Sequence, residues 1–303
     1  MSGSRIVAVD VGFGDCKAVD NEGNVLKMPS EFSVYDHTSK SAQGAKTIEF
    51  EGNKYLVGAE VSKRRQSAEK LNSVDRLIHY APLFVMAVEY KLPVNGHLAV
   101  GLPLTDLKRG AEMKRRLKQF YPDTEVFVCA QGMGCAVDAA IRDAIIIDIG
   151  YNTLDIYVSD EGRVIPDECI SIEGKGLGWA VEKLWRHIIE NHKIDDVTLG
   201  QAEDAIKGNN TIKRHGKPID IDNDIKNIMD SWSRMLLTTI KTGAWARRLD
   251  KVEKIILAGG GAYHVNLKDV GKDTVTDRIL KPDKPEFSNV RGFLKIVEKR
   301  GGK

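Results

Sequence analysis

The chain has 303 residues, of which 42% are apolar and 29% charged, with 45 Lys and Arg against 43 Asp and Glu. This is the composition of an ordinary globular protein with room for two domains of about 150 residues each, and its net charge of +2 gives no sign of direct nucleic-acid binding. No apolar run approaches the roughly 18 residues of a membrane span, and the N-terminus carries Asp10, Asp15 and Asp20 instead of a secretory segment. We therefore expect a cytoplasmic protein without membrane contact.

The N-terminal part alternates short apolar segments with turn residues. Segments 5–10, 16–20 and 25–28 are separated by Gly, Asn and Asp, which predicts a three-stranded meander. A polar stretch and a hairpin-like segment around a Gly-Asn turn then predict a small inserted subdomain over about 33–75. Beyond it we expect a buried helix over 81–90, a strand over 97–103, a charged helix over 105–120 and a strand over 125–129.

The pattern of the N-terminus begins again at Ile145. Segment 145–158 reads as strand, turn and strand, followed by a short third strand, and each meander has Asp-x-Gly at its first bend. Two segments of the same form suggest an internal duplication with two related lobes.

The second lobe continues with a glycine-rich turn and an amphipathic helix up to Ile189, and a polar, turn-rich stretch predicts a second insertion over about 190–225. A long helix over 225–249 and a strand over 252–257 lead to a glycine triplet. We expect lobe I to span 1–144, lobe II to span 145–274, and a C-terminal helix over 275–303 to pack back on lobe I.

The two bends suit the binding of a triphosphate, which needs backbone N–H groups at close range and a nearby cation. Gly12 and Gly14 permit a tight bend, and Lys17 on the outgoing strand supplies a charge. Asp10 and Asp148 each end an apolar strand, so both carboxylates can enter one cleft and hold a hydrated Mg²⁺. The alternative is that each is a turn-forming aspartate, which the recurrence of the pair disfavours.

Four motifs in order resemble those of the actin, Hsp70 and sugar-kinase superfamily. They are Asp-x-Gly-x-Gly-x-Cys-Lys at 10–17, Gln-Gly at 131–132, Asp-x-Gly-x-x-Thr-x-Asp at 148–155, and Ala-Gly-Gly-Gly at 258–261. The glycine spacing fits neither the Rossmann fingerprint nor the P-loop. Segments 100–103 and 286–293 further resemble plasmid-segregation actins of the ParM/StbA type and short archaeal actin-like proteins. The resemblance implies a duplicated actin-like, ribonuclease-H-type α/β fold around a nucleotide cleft.

It also implies residue roles. Asp10 and Asp148 would hold Mg²⁺ through water, and Gln131 would position the water that attacks ATP. Nucleotide contacts would come from Gly12, Phe13, Gly14, Asp15, Cys16, Lys17, Gly150, Tyr151, Asn152, Thr153, Asp155, Gly176, Gly259, Gly260, Gly261 and Tyr263. Two residues depart from the family pattern: Phe13 replaces a hydroxyl residue and Tyr151 a glycine, which bears on the rate of hydrolysis more than on binding.

The expected function is that of an ATPase that binds ATP or ADP with Mg²⁺ and polymerises with itself, in plasmid or other DNA segregation through a DNA-binding adaptor, or in a cytoskeletal role. One alternative is a sugar- or acetate-type kinase, although no aspartate is an evident base for a substrate hydroxyl. A regulator that binds nucleotide without polymerising is the other.

Overall fold

The structure, a computed structural model, describes residues 5–38, 43–64, 67–265 and 276–301. Its first half contains, in chain order, β1 (Arg5–Val11), β2 (Asp15–Asp20), β3 (Val25–Pro29), β4 (Glu31–Val34), β5 (Ile48–Phe50), β6 (Asn53–Val57), α1 (Ala59–Lys63), β7 (Glu69–Lys70), α2 (Val74–Glu89), β8 (Gly96–Leu102), α3 (Gly110–Lys118), β9 (Glu125–Ala130) and α4 (Met133–Ala139).

The second half repeats this plan with longer helices. It contains β10 (Ala144–Ile149), β11 (Thr153–Asp160), β12 (Arg163–Val164), β13 (Ile170–Glu173), α5 (Leu177–His192), α6 (Leu199–Ile206), β14 (Lys213–Arg214), β15 (Lys217–Pro218), α7 (Asp222–Thr242), β16 (Lys254–Ala258), β17 (Ile279–Leu280) and α8 (Ser288–Gly301).

Two sheets of the same topology form the centres of the two lobes. The order is β3-β2-β1-β8-β9 in lobe I and β12-β11-β10-β16-β17 in lobe II, where β13 also pairs with β11. In each sheet an antiparallel hairpin, β1-β2 or β10-β11, leads to a strand that adds in parallel, β8 or β16. The internal duplication expected from the sequence is therefore present in the strand order and in the strand directions.

The central strands are apolar on both faces because both faces are covered. Along β1, Val7 and Val9 face the main core of lobe I, while Ile6 and Ala8 face a second cluster formed with α8. Along β10, alternate isoleucines face the main core of lobe II, while the intervening Ile146 packs with residues of α4.

The helices α4 and α8 each pack on the other lobe. Helix α4 follows the last strand of lobe I but covers the sheet of lobe II, and α8 follows the last strand of lobe II but covers the sheet of lobe I. The two helices cross at Gly134 and Gly292, where a Cβ on Gly292 would lie 1.9 Å from the Gly134 carbonyl oxygen. This glycine crossing joins the lobes.

Each lobe has further elements that lie outside its central sheet. In lobe I a separate small sheet has the order β5-β6-β4-β7. In lobe II, α6 and the β14-β15 hairpin stand between α5 and α7. The long helix expected over 225–249 is α7, which begins at Asp222 and ends at Thr242 before Gly243.

The C-terminal segment differs from the helix expected over 275–303. Residue 275 lies outside the described residues, Ile279–Leu280 forms β17 beside β16, and α8 begins only at Ser288. The intervening Pro282 and Pro285 explain the late start, since proline disfavours helix in the residue before it. The segment around β17 thus completes the sheet of lobe II, and α8 alone packs on lobe I. None of the described helices is both long and apolar enough to cross a membrane.

Candidate functional site

The first bends of the two meanders have the same hydrogen-bonding frame. The Gly12 N–H donates to the Asp15 carbonyl at 3.1 Å, and the Gly150 N–H donates to the Thr153 carbonyl at 2.9 Å. Each bend therefore joins its two strands by a short loop that begins two residues after the strand's aspartate.

The third strand region of each meander supports the bend in the same way. The Ser30 N–H donates to the Gly14 carbonyl at 2.9 Å, and the Gly174 N–H donates to the Asn152 carbonyl at 2.8 Å. Because these carbonyls are held from outside the bend, the tip of each loop is fixed in place.

The tips of the bends face each other and carry free donors. A Cβ on Gly14 would lie 3.1 Å from the Tyr151 Cβ, so the two loops meet across the gap between the lobes. The N–H groups of Phe13, Gly14, Tyr151 and Asn152 have no hydrogen-bond partner within the described part of the chain. Clustered, unpaired backbone N–H groups in tight turns form an anion-binding concavity.

Charged side chains lie directly behind the loops at equivalent strand positions. Asp10 pairs in register with Lys17, as Asp148 does with Asp155. The Lys17 Nζ would lie 3.6 Å from a Cβ on Gly12, which places the ammonium group at the first bend. The site thus combines three carboxylates with one cation.

The carboxylate of Asp10 is held by Gln131. Asp10 is 5% exposed, and the Gln131 Nε2 donates to its Oδ1 at 2.6 Å. Gln131 follows β9, and its own N–H donates to the Leu102 carbonyl at 2.8 Å. The structure therefore brings the predicted glutamine directly to the first predicted metal-binding aspartate.

Asp148 lies among other carboxylates. Its pKa is raised from 3.8 to about 7, first by burial and then by the charges of Asp155 and Asp10, while Lys17 and a hydrogen bond from Asn289 partly offset this rise. The neighbouring Asp155 is buried, which raises its pKa above the ordinary value, and it accepts a hydrogen bond from the Thr153 hydroxyl at 2.8 Å. A divalent cation would relieve this crowding of negative charge.

Asn289 on α8 is a site residue that the motifs did not indicate. Its Nδ2 donates to the Asp148 Oδ2 at 2.8 Å, while its Oδ1 accepts from the Gly132 N–H at 2.8 Å and from the Cys135 Sγ at 3.2 Å. One amide therefore links α8, the Asp148 carboxylate and the turn after Gln131. In the sequence, Asn289 lies within segment 286–293, which resembles plasmid-segregation actins, but the resemblance assigns it no role. The other signal is a polar residue, 5% exposed here, on the buried face of an amphipathic helix.

Replacing Asn289 with alanine is expected to lower the free energy of unfolding by about 2 kcal/mol, because the buried Gly132 N–H loses its acceptor. Thermal denaturation of the variant and of the wild type checks this effect. An unchanged melting temperature would contradict this account of Asn289.

The glycine triplet after β16 lies against the second bend. Gly259 has φ of 80°, and a Cβ there would lie 2.3 Å from the Asp148 Oδ1; a Cβ on Gly261 would meet the Ile149 side chain. Gly260 has open space where its Cβ would be. The hydroxyl of Tyr263, which is 48% exposed, donates to Glu286 at 2.5 Å.

Gly176 packs directly against the backbone of the second bend. A Cβ on Gly176 would lie 2.4 Å from the Tyr151 carbonyl oxygen. The first two residues of α5 also hold this loop. The Leu177 N–H donates to the Gly150 carbonyl at 3.0 Å, and the Gly178 N–H donates to the Tyr151 carbonyl at 2.7 Å. The Tyr151 ring packs beside Gly178 on the core of lobe II. Position 151 can thus accommodate a large side chain, because the ring points towards the core of lobe II.

Three predicted side chains of the first bend point away from the gap. Asp15 forms an ion pair with Lys27 at 3.2 Å, Phe13 packs on the core of lobe I, and Cys16 is buried in that core, where burial raises its pKa. These residues can contribute their backbone groups to the bend, but their side chains stabilise lobe I.

Two protein-family models match the chain. Residues 8–135 match the model of the N-terminal domain of actin-like proteins, and residues 146–274 match the C-terminal model of the archaeal MreB-like actin homologue. Together the two models span most of both meanders, both bends and the glycine triplet. No curated protein sequence matches the chain.

Solved structures match over nearly the whole length. The archaeal actin homolog Ta0583 in complex with ADP has a TM-score of 0.77 at 19% identity, covering 97% of this chain and 99% of that one. A 15-stranded ParM filament from Clostridium botulinum gives 0.76 at 18% identity, covering 98% and 99%. The MamK double helical filament gives 0.72 at 19% identity, covering 97% and 98%. These matches confirm the duplicated actin-like fold.

Proposed function

Because the chain belongs to the actin-like proteins, we propose that it binds ATP with Mg²⁺ between its lobes, hydrolyses the ATP, and assembles into filaments under the control of the nucleotide. The observation that carries this proposal is the pair of facing bends. Their tips present unpaired backbone N–H groups towards one gap, with three carboxylates and Lys17 directly behind them.

The bends would hold the phosphates. Backbone donors from Phe13 and Gly14 approach from lobe I, those from Tyr151 and Asn152 approach from lobe II, and Lys17 adds a positive charge. Because the two sets of donors belong to different lobes, a bound triphosphate would draw the lobes together.

Mg²⁺ would be held by Asp10 and Asp148 through water, as hard oxygen ligands that suit this ion. When bound, it would neutralise charge on the phosphates. Gln131, which already lies on Asp10, would position the attacking water through its amide, since an amide orients a water without taking its proton.

The adenosine would lie against the glycine triplet. Gly260 leaves open space where a side chain would stand, beside the second bend. Tyr263 is exposed next to it, with its hydroxyl held by Glu286. The ADP complex of the archaeal homolog supports a nucleotide in this fold.

Assembly of the chain with itself is supported by the filaments among its structural relatives, the ParM and MamK structures. The nucleotide would act by binding one lobe arrangement more tightly than another and so shifting the population towards the polymerising form. Plasmid or other DNA segregation would then need a separate DNA-binding adaptor, because a net charge of +2 offers little affinity for DNA. A cytoskeletal role requires no adaptor of this kind.

Replacing Gln131 with alanine is expected to reduce phosphate release roughly 100-fold, with little change in nucleotide affinity, because Gln131 contacts Asp10 and not the phosphate loops. A phosphate-release assay without any added acceptor, together with titration of a fluorescent ATP analogue, measures both quantities. The exposed Gln119→Ala serves as the matched control. Release that persists at the wild-type rate in Gln131→Ala would contradict the role of Gln131. Wild-type protein that forms ADP only when a sugar or acetate is added, with the phosphoryl group on that acceptor and no free phosphate, would favour a kinase.

A further inference from the structure

Two histidines and an aspartate meet on the surface of lobe II, far from the bends. His187 and His192 lie on the last turns of α5, and Asp224 lies on the first turn of α7. The His187 Nε2 is 3.0 Å from the Asp224 Oδ1, and the His192 Nε2 is 2.8 Å from its Oδ2. One atom from each residue lies within 4.8 Å of the others. We call these three residues the α5–α7 cluster.

The cluster contains the ligand types that zinc prefers. Zn²⁺ binds imidazole nitrogen and carboxylate oxygen at about 2.0–2.2 Å, so neighbouring ligand atoms of a tetrahedral site are roughly 3.4 Å apart. The present nitrogen–oxygen separations are a few tenths of an ångström shorter. Rotation of the side chains can lengthen these nitrogen–oxygen separations, because none of the three side chains is fixed in a core. His187 is 35% exposed, His192 27% and Asp224 25%.

The surroundings favour a cation. His192 is the last residue of α5, where the unpaired carbonyl groups of the helix end attract positive charge. Asn191 lies 2.8 Å from the His187 Nδ1. With its amide turned so that Oδ1 accepts from Nδ1–H, Asn191 would direct the His187 Nε2 towards a metal, as outer hydrogen bonds do at metal histidines.

We propose that the α5–α7 cluster binds one divalent transition-metal ion of the Zn²⁺ class, with His187, His192 and Asp224 as ligands and solvent in the fourth position. Such an ion would bridge the end of α5 to the start of α7 and stabilise lobe II. The site stands at the opposite end of α5 from Gly176, about 24 Å along the helix, so it is separate from the bends. Nucleotide hydrolysis at the bends does not require it.

The test uses tag-free, full-length protein stripped with EDTA and titrated with ZnCl₂ by isothermal calorimetry, with MgCl₂ titrated in parallel. We expect one equivalent of Zn²⁺ to bind with micromolar or tighter affinity, and Mg²⁺ not to compete. The variants His187→Ala, His192→Ala and Asp224→Asn should each weaken Zn²⁺ binding by at least about tenfold. Of the four free cysteines, Cys16, Cys129 and Cys135 are buried, and the partly exposed Cys169 donates its thiol hydrogen to the Ile165 carbonyl at 3.1 Å. A Cys169→Ser variant should therefore bind Zn²⁺ like the wild type.

The matched control is His215→Asn. His215 belongs to the same lobe but not to the α5–α7 cluster, and its φ of 51° is one that asparagine tolerates. This variant should bind Zn²⁺ like the wild type.

Two further readouts do not depend on how the variants fold. Co²⁺ added to wild-type protein should give the intense visible absorption of a tetrahedral site with mixed nitrogen and oxygen ligands, and Zn²⁺ should displace it. Zn²⁺ should also raise the melting temperature of the wild type, because a ligand of the folded state stabilises that state. Wild-type affinity weaker than about 1 mM, or equal affinity in the wild type and in a folded His187→Ala/His192→Ala variant, would overturn the proposal.

Discussion

Replacing Gly292 with alanine is expected to lower the free energy of unfolding by about 3 kcal/mol or more and the melting temperature by roughly 6 °C. A methyl group at this position would lie 1.9 Å from the Gly134 carbonyl oxygen and 2.4 Å from its carbonyl carbon. Both atoms are backbone, so no side chain can rotate away. The helices α4 and α8 would have to separate, although each is packed on the core of a different lobe.

The matched control for Gly292→Ala is Gly200→Ala in α6. The nearest atom to a Cβ at Gly200 is the Thr198 Oγ1 at 3.8 Å, an ordinary contact. Because alanine is the better helix former, this variant should gain up to about 1 kcal/mol. Thermal denaturation of both variants without nucleotide gives the comparison. Equal melting temperatures for Gly292→Ala and the wild type would contradict the tight crossing of α4 and α8.

Replacing Asp148 with asparagine is expected to stabilise the nucleotide-free protein while reducing ATP hydrolysis more than about 100-fold. Burial and the charges of Asp155 and Asp10 raise the pKa of Asp148 to about 7 in the folded protein, against 3.8 ordinarily. An asparagine removes this charge and can still accept the hydrogen bond from Asn289. It cannot, however, supply a carboxylate for Mg²⁺.

The stability gain of Asp148→Asn depends on pH. Since the folded protein binds the Asp148 proton more tightly than the unfolded chain does, wild-type stability falls as pH rises from about 4 to about 7. The full shift corresponds to about 4 kcal/mol, and the solvent contact that Asp148 retains reduces the expected gain at pH 8 to about 2 kcal/mol. Melting temperatures of both proteins in EDTA at pH 5 and pH 8 measure this difference.

Asp138→Asn is the contrasting control. The Asp138 carboxylate accepts from the Arg291 Nε at 2.9 Å and from the Lys295 Nζ at 2.8 Å, so α8 is tied to α4 through it. Neutralising Asp138 should therefore destabilise the protein. If Asp148→Asn lowers the melting temperature at pH 8 as Asp138→Asn does, then Asp148 is not under the electrostatic strain inferred here.

The parts of the site that the sequence predicts are local. The bends after Asp10 and Asp148 follow from a few adjacent residues, in which apolar β-formers end at an aspartate and glycine or asparagine permits a tight turn. Their equivalence is visible in the sequence because both bends use the same spacing. The structure adds that they face each other, with Gly14 against Tyr151.

The parts that the sequence does not predict depend on contacts between distant segments. Asn289 reaches Asp148 and Gly132 across about half of the chain, 141 and 157 residues away, and no periodicity marks such a pairing. Strand β17 has two residues, too few for an alternating pattern to appear. The resemblance implies that Gly176 contacts the nucleotide, and the structure adds that this glycine lets the Tyr151 carbonyl lie close to the start of α5.

Sedimentation of the purified protein tests most directly whether nucleotide in the interlobe cleft controls assembly. At tens of micromolar protein, Mg²⁺ and ATP together should bring wild-type protein into the pellet as filaments visible by negative-stain electron microscopy. Protein without nucleotide, with ATP and EDTA, or with the Asp148→Asn change should remain in the supernatant. Wild-type protein that stays monomeric with Mg²⁺ and ATP, or that pellets equally without nucleotide, would contradict the account.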